Sequence, residues 1–145
     1  MLTQTITFLC LLGLTIAGQP KIRPCGKLPM PKSIEVSDCD GEGCEFDRSK
    51  EYRLTAEFVA PKDSNDLKLD VKGKILGVPL PWANQPTDIC NNQVSCPLKS
   101  GQTYTYKASF GDLSKYPRVK GIVIYRLNDA NGDAMFCFEM KFKLQ

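Results

Sequence analysis

Polar and apolar residues alternate along this chain with a period of two, the spacing that puts successive side chains on opposite faces of an extended strand. Tyr52, Leu54, Ala56 and Phe58 alternate with Arg53, Thr55 and Glu57. Leu67, Leu69 and Val71 alternate with Lys68, Asp70 and Lys72. Tyr104, Tyr106, Ala108 and Phe110 alternate with Thr103, Thr105, Lys107 and Ser109. Phe136, Phe138, Met140, Phe142 and Leu144 alternate with Cys137, Glu139, Lys141 and Lys143. Residues 120–127 are more continuously apolar, which predicts a central strand covered on both faces. Asn128-Asp-Ala-Asn-Gly-Asp133 predicts the hairpin turn between the last two strands. Strands with one apolar face each, separated by turn residues, predict an all-β chain folded as an antiparallel β-sandwich.

Before these strands, residues 6–17 form an apolar run of signal-peptide length, too short to span a bilayer. Thr15, Ala17 and Gly18 offer small residues for cleavage, although no Lys or Arg precedes the run. The expectation is a signal peptide over residues 1–18, removed, and a single domain over residues 19–145. That length supports one core and no second domain. Cys10 leaves with the leader, so seven cysteines become six: Cys25, Cys39, Cys44, Cys90, Cys96 and Cys137. An even set behind a leader predicts disulfides in an oxidising compartment. Cys39 and Cys44 enclose Asp-Gly-Glu-Gly, Cys90 and Cys96 enclose Asn-Asn-Gln-Val-Ser, and both look like local pairs. Six cysteines still allow 15 connectivities, so spacing alone leaves the pairing open.

Charge and residue types then exclude several kinds of chemistry. The chain holds 19 basic and 16 acidic residues, a net charge of +3, with the basic ones scattered rather than clustered. Nucleic-acid binding needs a concentrated patch and is not expected. There is no histidine, which removes Ser-His and Cys-His nucleophiles. Asp38 and Asp40 read as loop solvation. Asp129-Ala-Asn-Gly-Asp133 has Ala134 and Met140 where a calcium loop needs glycine and glutamate, so it reads as a plain turn. The Cys-x4-Cys and Cys-x5-Cys spacings do not suit zinc. No enzyme activity, metal or cofactor is expected.

The most unusual segment is Gly77-Val-Pro-Leu-Pro-Trp82. Two prolines in three residues lack the N–H groups that a sheet interior requires, so this stretch must leave the ladder or run along an edge. Val78, Leu80 and Trp82 between and after them would normally seek burial. Apolar side chains on such backbone suit the mouth of an apolar pocket, or they cap one end of the core. The residues by themselves leave both open.

Taken in order, Cys25, the Cys39/Cys44 pair, Gly77-Val-Pro-Leu-Pro-Trp82, Cys90 to Cys96-Pro97, Thr103-Tyr-Thr-Tyr106, Tyr116-Pro117 and Phe136-Cys137-Phe-Glu139 resemble the MD-2-related lipid-recognition (ML) domain family. The likeness is to its Niemann-Pick type C2 branch, the epididymal secretory protein-like members, with an invertebrate member expected. It covers essentially all of the chain after the leader. The resemblance implies an immunoglobulin-like sandwich whose sheets part to hold a lipid, with Cys25–Cys137, Cys39–Cys44 and Cys90–Cys96 bonded. It places Leu80, Trp82, Tyr116 and Tyr125 at the pocket mouth and wall. Strand parity adds Phe58, Val71, Tyr106, Phe110, Val123, Phe138 and Met140 as deeper lining. Gly111-Asp112 departs from the apolar residues that the family usually keeps beside the entrance, which bears on which ligand is accepted. No Asn-x-Ser/Thr sequon is present, so the N-glycan that directs vertebrate relatives to lysosomes is absent and secretion is favoured.

The expected function is a monomeric, non-enzymatic carrier of a sterol, a long-chain fatty acid or a hydrophobic signalling molecule. Transient contact with membranes or a membrane sterol transporter would accompany it. A sterol of about 28 heavy atoms at ~0.3 kcal/mol each gives ~8 kcal/mol, near a micromolar dissociation constant. An immune module that presents microbial lipid to a receptor is the alternative, and it would need a large exposed apolar patch for that receptor. A solid-cored structural or inhibitory protein would hold no lipid at all.

Overall fold

In the computed structural model of the protein, residues 17–83 and 85–145 are described, and the expected leader lies outside them except for its last two positions. The alternating segments form strands. They are β1 (Ala17–Gly18), β2 (Arg23–Pro24), β3 (Ser33–Ser37), β4 (Gly43–Phe46), β5 (Tyr52–Val59), β6 (Leu67–Ile75), β7 (Val78–Pro81), β8 (Thr103–Phe110), β9 (Lys120–Asp129) and β10 (Ala134–Leu144). One 3-10 turn, Leu113–Lys115, stands between β8 and β9. The strands make a four-stranded sheet, β1-β3-β5-β8, and a six-stranded sheet, β2-β10-β9-β6-β7. Their pairings are antiparallel except where β4 joins β10 in parallel. No helix among the described residues is long and apolar enough to cross a membrane.

Alternation sets which face of each strand is inside. Tyr52, Leu54, Ala56 and Phe58 on β5 are buried, and Phe136, Phe138, Met140, Phe142 and Leu144 on β10 face them from the other sheet. The two layers meet closely at one end, where the rings of Phe58 and Phe136 lie 5.1 Å apart. Leu67, Leu98 and Leu127 are fully buried with them.

Residues 120–127 do not match the expected two-sided burial. β9 is central in its sheet, between β10 and β6, but only its inner face is buried. Ile122 sits opposite Lys141 and Lys74, and Ile124 opposite Glu139 and Lys72. Among the described residues no second layer covers that face, and its isoleucines lie between the charged neighbours Lys72, Lys74, Glu139 and Lys141. The proline segment runs along an edge. β7 pairs only with β6 and all four of its residues are exposed.

Three disulfides fix what hydrogen bonds do not. Cys39–Cys44 joins the chain just past β3 to β4, and so links one sheet to the other. Cys90–Cys96 closes the loop between β7 and β8, whose Ile89, Val94 and Leu98 are buried. Cys25–Cys137 holds the segment after β2 against β10, where the Cys137 N–H also donates to the Pro29 carbonyl at 2.8 Å. In the hairpin turn, the buried Asp129 carboxylate accepts the N–H groups of Asn131 and Asp133 at 2.9 Å each and pairs with Lys62. The Asp133 carboxylate of the same turn also pairs with Lys62.

The Cys25–Cys137 bond spans 112 residues, against 5 and 6 for the other two. In the chain-entropy description it contributes about 4 to 5 kcal/mol and each short loop about 2. Replacing both partners with serine should therefore lower the urea midpoint most for Cys25/Cys137. A smaller loss there than at Cys39/Cys44 would show that strand pairing, not the crosslink, holds the amino-terminal segment.

Candidate functional site

Beyond the Phe58–Phe136 contact a cavity of about 360 Å³ opens between the two sheets. Its walls come from both layers. Leu54, Tyr106, Ala108 and Phe110 face it from the four-stranded sheet, and Leu69, Val71, Val123, Tyr125, Met140 and Phe142 from the six-stranded one. Phe46 closes one side, edge-on to both Phe110 at 5.3 Å and Tyr52 at 4.8 Å. Exposed Ala83, Pro86, Ser109, Gly111, Asp112 and Lys115 ring the opposite end, which is the mouth.

Two segments form the lip of that mouth. After β7 the chain turns inward: the Trp82 N–H donates to the Val71 carbonyl at 2.9 Å, and its ring lies 4.9 Å from that of Tyr116. Gln85 holds this turn down by copying a strand. Its Oε1 accepts the Val71 N–H at 2.8 Å, and its Nε2 donates to the carbonyls of Val71 and Trp82 at 2.9 and 2.8 Å. From the other side the 3-10 turn delivers Tyr116. The Tyr116 hydroxyl accepts the Ala83 N–H at 3.1 Å, closing the lip across the mouth.

Charge is confined to the rim. Asp112 accepts the Ser114 hydroxyl at 3.0 Å and pairs with Lys115 at 3.3 Å, and these partners hold its carboxyl below the usual carboxylate range. Deeper in, the polar side-chain groups are neutral. The Tyr106 and Tyr125 hydroxyls are hydrogen-bonded at 2.6 Å. Burial pushes the Tyr106 phenol up to about 12 and that of Tyr125 well above its ordinary value, so both stay uncharged.

The ML domain matches residues 19–144. The chain belongs to the ML-domain family. Over 145 residues it is 27% identical to the NPC intracellular cholesterol transporter 2 of Bos taurus, covering 99% of this chain and 97% of that one. It is 34% identical over 113 residues to the mite group 2 allergen Tyr p 2 of Tyrophagus putrescentiae, covering 78% of this chain and 79% of the allergen. Among solved structures, a Niemann-Pick type C2 protein from Japanese carpenter ant superimposes with a TM-score of 0.80 at 23% identity, over 86% of this chain and 99% of the ant protein, and so shares the fold. This ML-domain protein is accordingly a lipid-binding protein of the Niemann-Pick type C2 kind and not an enzyme.

Of the positions singled out from the sequence, Val71, Trp82, Tyr106, Phe110, Tyr116, Val123, Tyr125 and Met140 line the cavity. Leu80, Phe58 and Phe138 do not. Leu80 is half-exposed on the edge strand β7, opposite Gly73, where nothing from the facing sheet covers it. Phe58 and Phe138 point inward as parity requires, but they lie in the filled end. Phe58 packs on Phe136, and Phe138 stacks at 5.4 Å on Tyr125. Parity assigns a face and says nothing of depth. Phe46 and Gln85 carried no usable signal: one lies on a four-residue strand, the other in a polar loop.

Asp112 lies at φ 54°, a left-handed position that a β-branched residue tolerates poorly and asparagine accepts. Asp112→Asn removes the rim carboxylate and leaves Lys115 unpaired. Fatty-acid affinity should rise about two- to fivefold at low salt, with sterol affinity unchanged and the difference shrinking as salt is added. Equal changes for the two ligand classes would mean that Asp112 faces away from the ligand.

Proposed function

We propose that this ML-domain protein is a secreted carrier that holds one sterol-class lipid in the inter-sheet cavity. The observation that carries the reading is an apolar chamber of about 360 Å³ whose deep polar groups are uncharged and whose one ion pair among the described residues sits on the rim. Pockets for ligands of this size fall between about 300 and 1,000 Å³. A buried carboxylate without a charged partner is costly to desolvate, which favours a neutral sterol over an ionised fatty acid. The sterol's apolar body would pack against Val123, Met140 and Phe110, with Trp82 and Tyr116 over its outer end.

The lip also suits loading from a bilayer. Leu76 at the turn between β6 and β7 is 98% exposed, and Val78 and Leu80 beside it are 56% and 50% exposed. These apolar side chains adjoin the mouth through Trp82. Against a membrane they would enter the interface and let a lipid pass without crossing water. Leu76→Ser with Leu80→Ser should slow sterol transfer between vesicles several-fold while leaving sterol affinity in solution unchanged. Undiminished transfer would remove this docking role.

Trp82 is the chain's only tryptophan, so its emission reports on the lip alone. A fluorescent sterol should quench it saturably and near one-to-one. Trp82→Ala should weaken sterol binding by about 1 to 3 kcal/mol, the range for losing a packed aromatic ring. If the folded variant binds as tightly as wild type, the ring only caps the core. Native mass spectrometry of the secreted protein that finds no lipid in any preparation would sink the carrier reading itself.

A further inference from the structure

Tyr106 on β8 and Tyr125 on β9 come from opposite sheets and meet where the cavity ends. On the same strands, the inward residues nearer the mouth are Ala108 and Phe110, and Val123. Past the pair lie Phe136, Phe58 and Leu127, fully buried and absent from the cavity lining. The Tyr125 ring is stacked on Phe138 and Phe136 with interplanar angles of 11° and 10°, and Tyr106 stands edge-on to Tyr125 and Phe136. Both rings are thus packed on aromatic neighbours at the inner end of the chamber, which both tyrosines line.

Each phenol carries one proton to donate and can accept as well. One proton is used in the 2.6 Å bond between the two hydroxyls. Among the described residues neither oxygen bonds any other group, so the second proton has no protein acceptor. A buried donor left in this way costs more than a satisfied bond gains. The direction open to it is the cavity.

We propose that the Tyr106–Tyr125 pair is a hydrogen-bond-donating floor that selects lipids whose buried end carries a neutral acceptor, such as the oxygen of a hydroxylated sterol side chain. This rests on the cavity being the sterol site. The ring hydroxyl of a sterol finds water, Lys115 and Asp112 at the rim, so the side chain is the end that reaches the floor. A plain hydrocarbon tip there leaves the spare proton unsatisfied, and an oxygen at the tip accepts it. Because burial keeps both phenols protonated far above neutral pH, the donor persists throughout the physiological range.

The test compares two sterols that differ only by a hydroxyl at the tip of the side chain, titrated against the full-length secreted protein by quenching of Trp82 or by isothermal calorimetry. Wild type should bind the tip-hydroxylated sterol about fivefold tighter, the equivalent of one net hydrogen bond of about 1 kcal/mol. Tyr106→Phe with Tyr125→Phe should bring the two sterols to parity or favour the plain one, with the plain sterol still binding. Either single variant keeps one free donor and should retain the preference. Equal affinities in wild type overturn the proposal while leaving the sterol site intact, as does a preference that survives in the double variant. If neither sterol binds wild type, the cavity reading fails and takes this inference with it. Should the double variant not fold, the wild-type comparison decides alone. A pair that merely braces the sheets would lower stability in the variants without changing the order of the ligands.

Discussion

Ring-to-ring contacts between the two sheets, Phe58 on Phe136 at 5.1 Å and Phe46 on Tyr52 at 4.8 Å, are the constraint on which the architecture depends. Between such contacts two packed layers leave a void wherever the facing side chains do not fill the space. Here Ala108, Val123 and Val71 stand among larger residues such as Phe110 and Met140, and the space between them stays open. The cavity follows from that choice of side-chain volume. Crosslinks and edge pairings then keep the open end from collapsing: Cys39–Cys44 spans from one sheet to the other, and β4 pads the free edge of β10.

Polar groups are distributed so that the inner part of the hollow carries no charged side chain. Apart from Asp129 in the hairpin turn, the charged side chains of the strands stay off the buried positions, and Asp112 and Lys115 at the mouth are paired with each other. Inside, the phenols that would be costly if ionised are protected from ionising by the same burial that makes them costly. The inner part of the cavity thus offers apolar surface and the paired tyrosine hydroxyls, with its charged side chains at the rim.

Much of this was legible in the alternation itself. The long strands β5, β6, β8 and β10 each carry several repeats of a period-two pattern, and a face assigned by several residues is hard to misplace. Short strands such as β4 and β2 hold too few residues to show a period, and their place is set by pairing with β10, which is a long-range property. Residues 120–127 misled because isoleucine on an outer face, between lysines and a glutamate, looks the same in sequence as isoleucine under a second layer. Phe58 and Phe138 show the matching limit at the site. Their direction is a local property of the strand, but whether they meet empty space depends on how far the opposite sheet has moved away, which no single strand records. Gln85 was out of reach altogether, since its role is to stand in for backbone partners of Val71 that only the folded loop brings near.

The two prolines of β7 have a consequence beyond the shape of the lip. An exposed apolar edge strand is ordinarily a template on which another chain can add a strand and begin a fibre. Pro79 and Pro81 carry no N–H, so β7 can complete its ladder with β6 on one side yet cannot offer a regular row of donors on the other. A protein that keeps Leu76, Val78 and Leu80 bare in water thus presents a surface that is adhesive to hydrocarbon and barren to other strands.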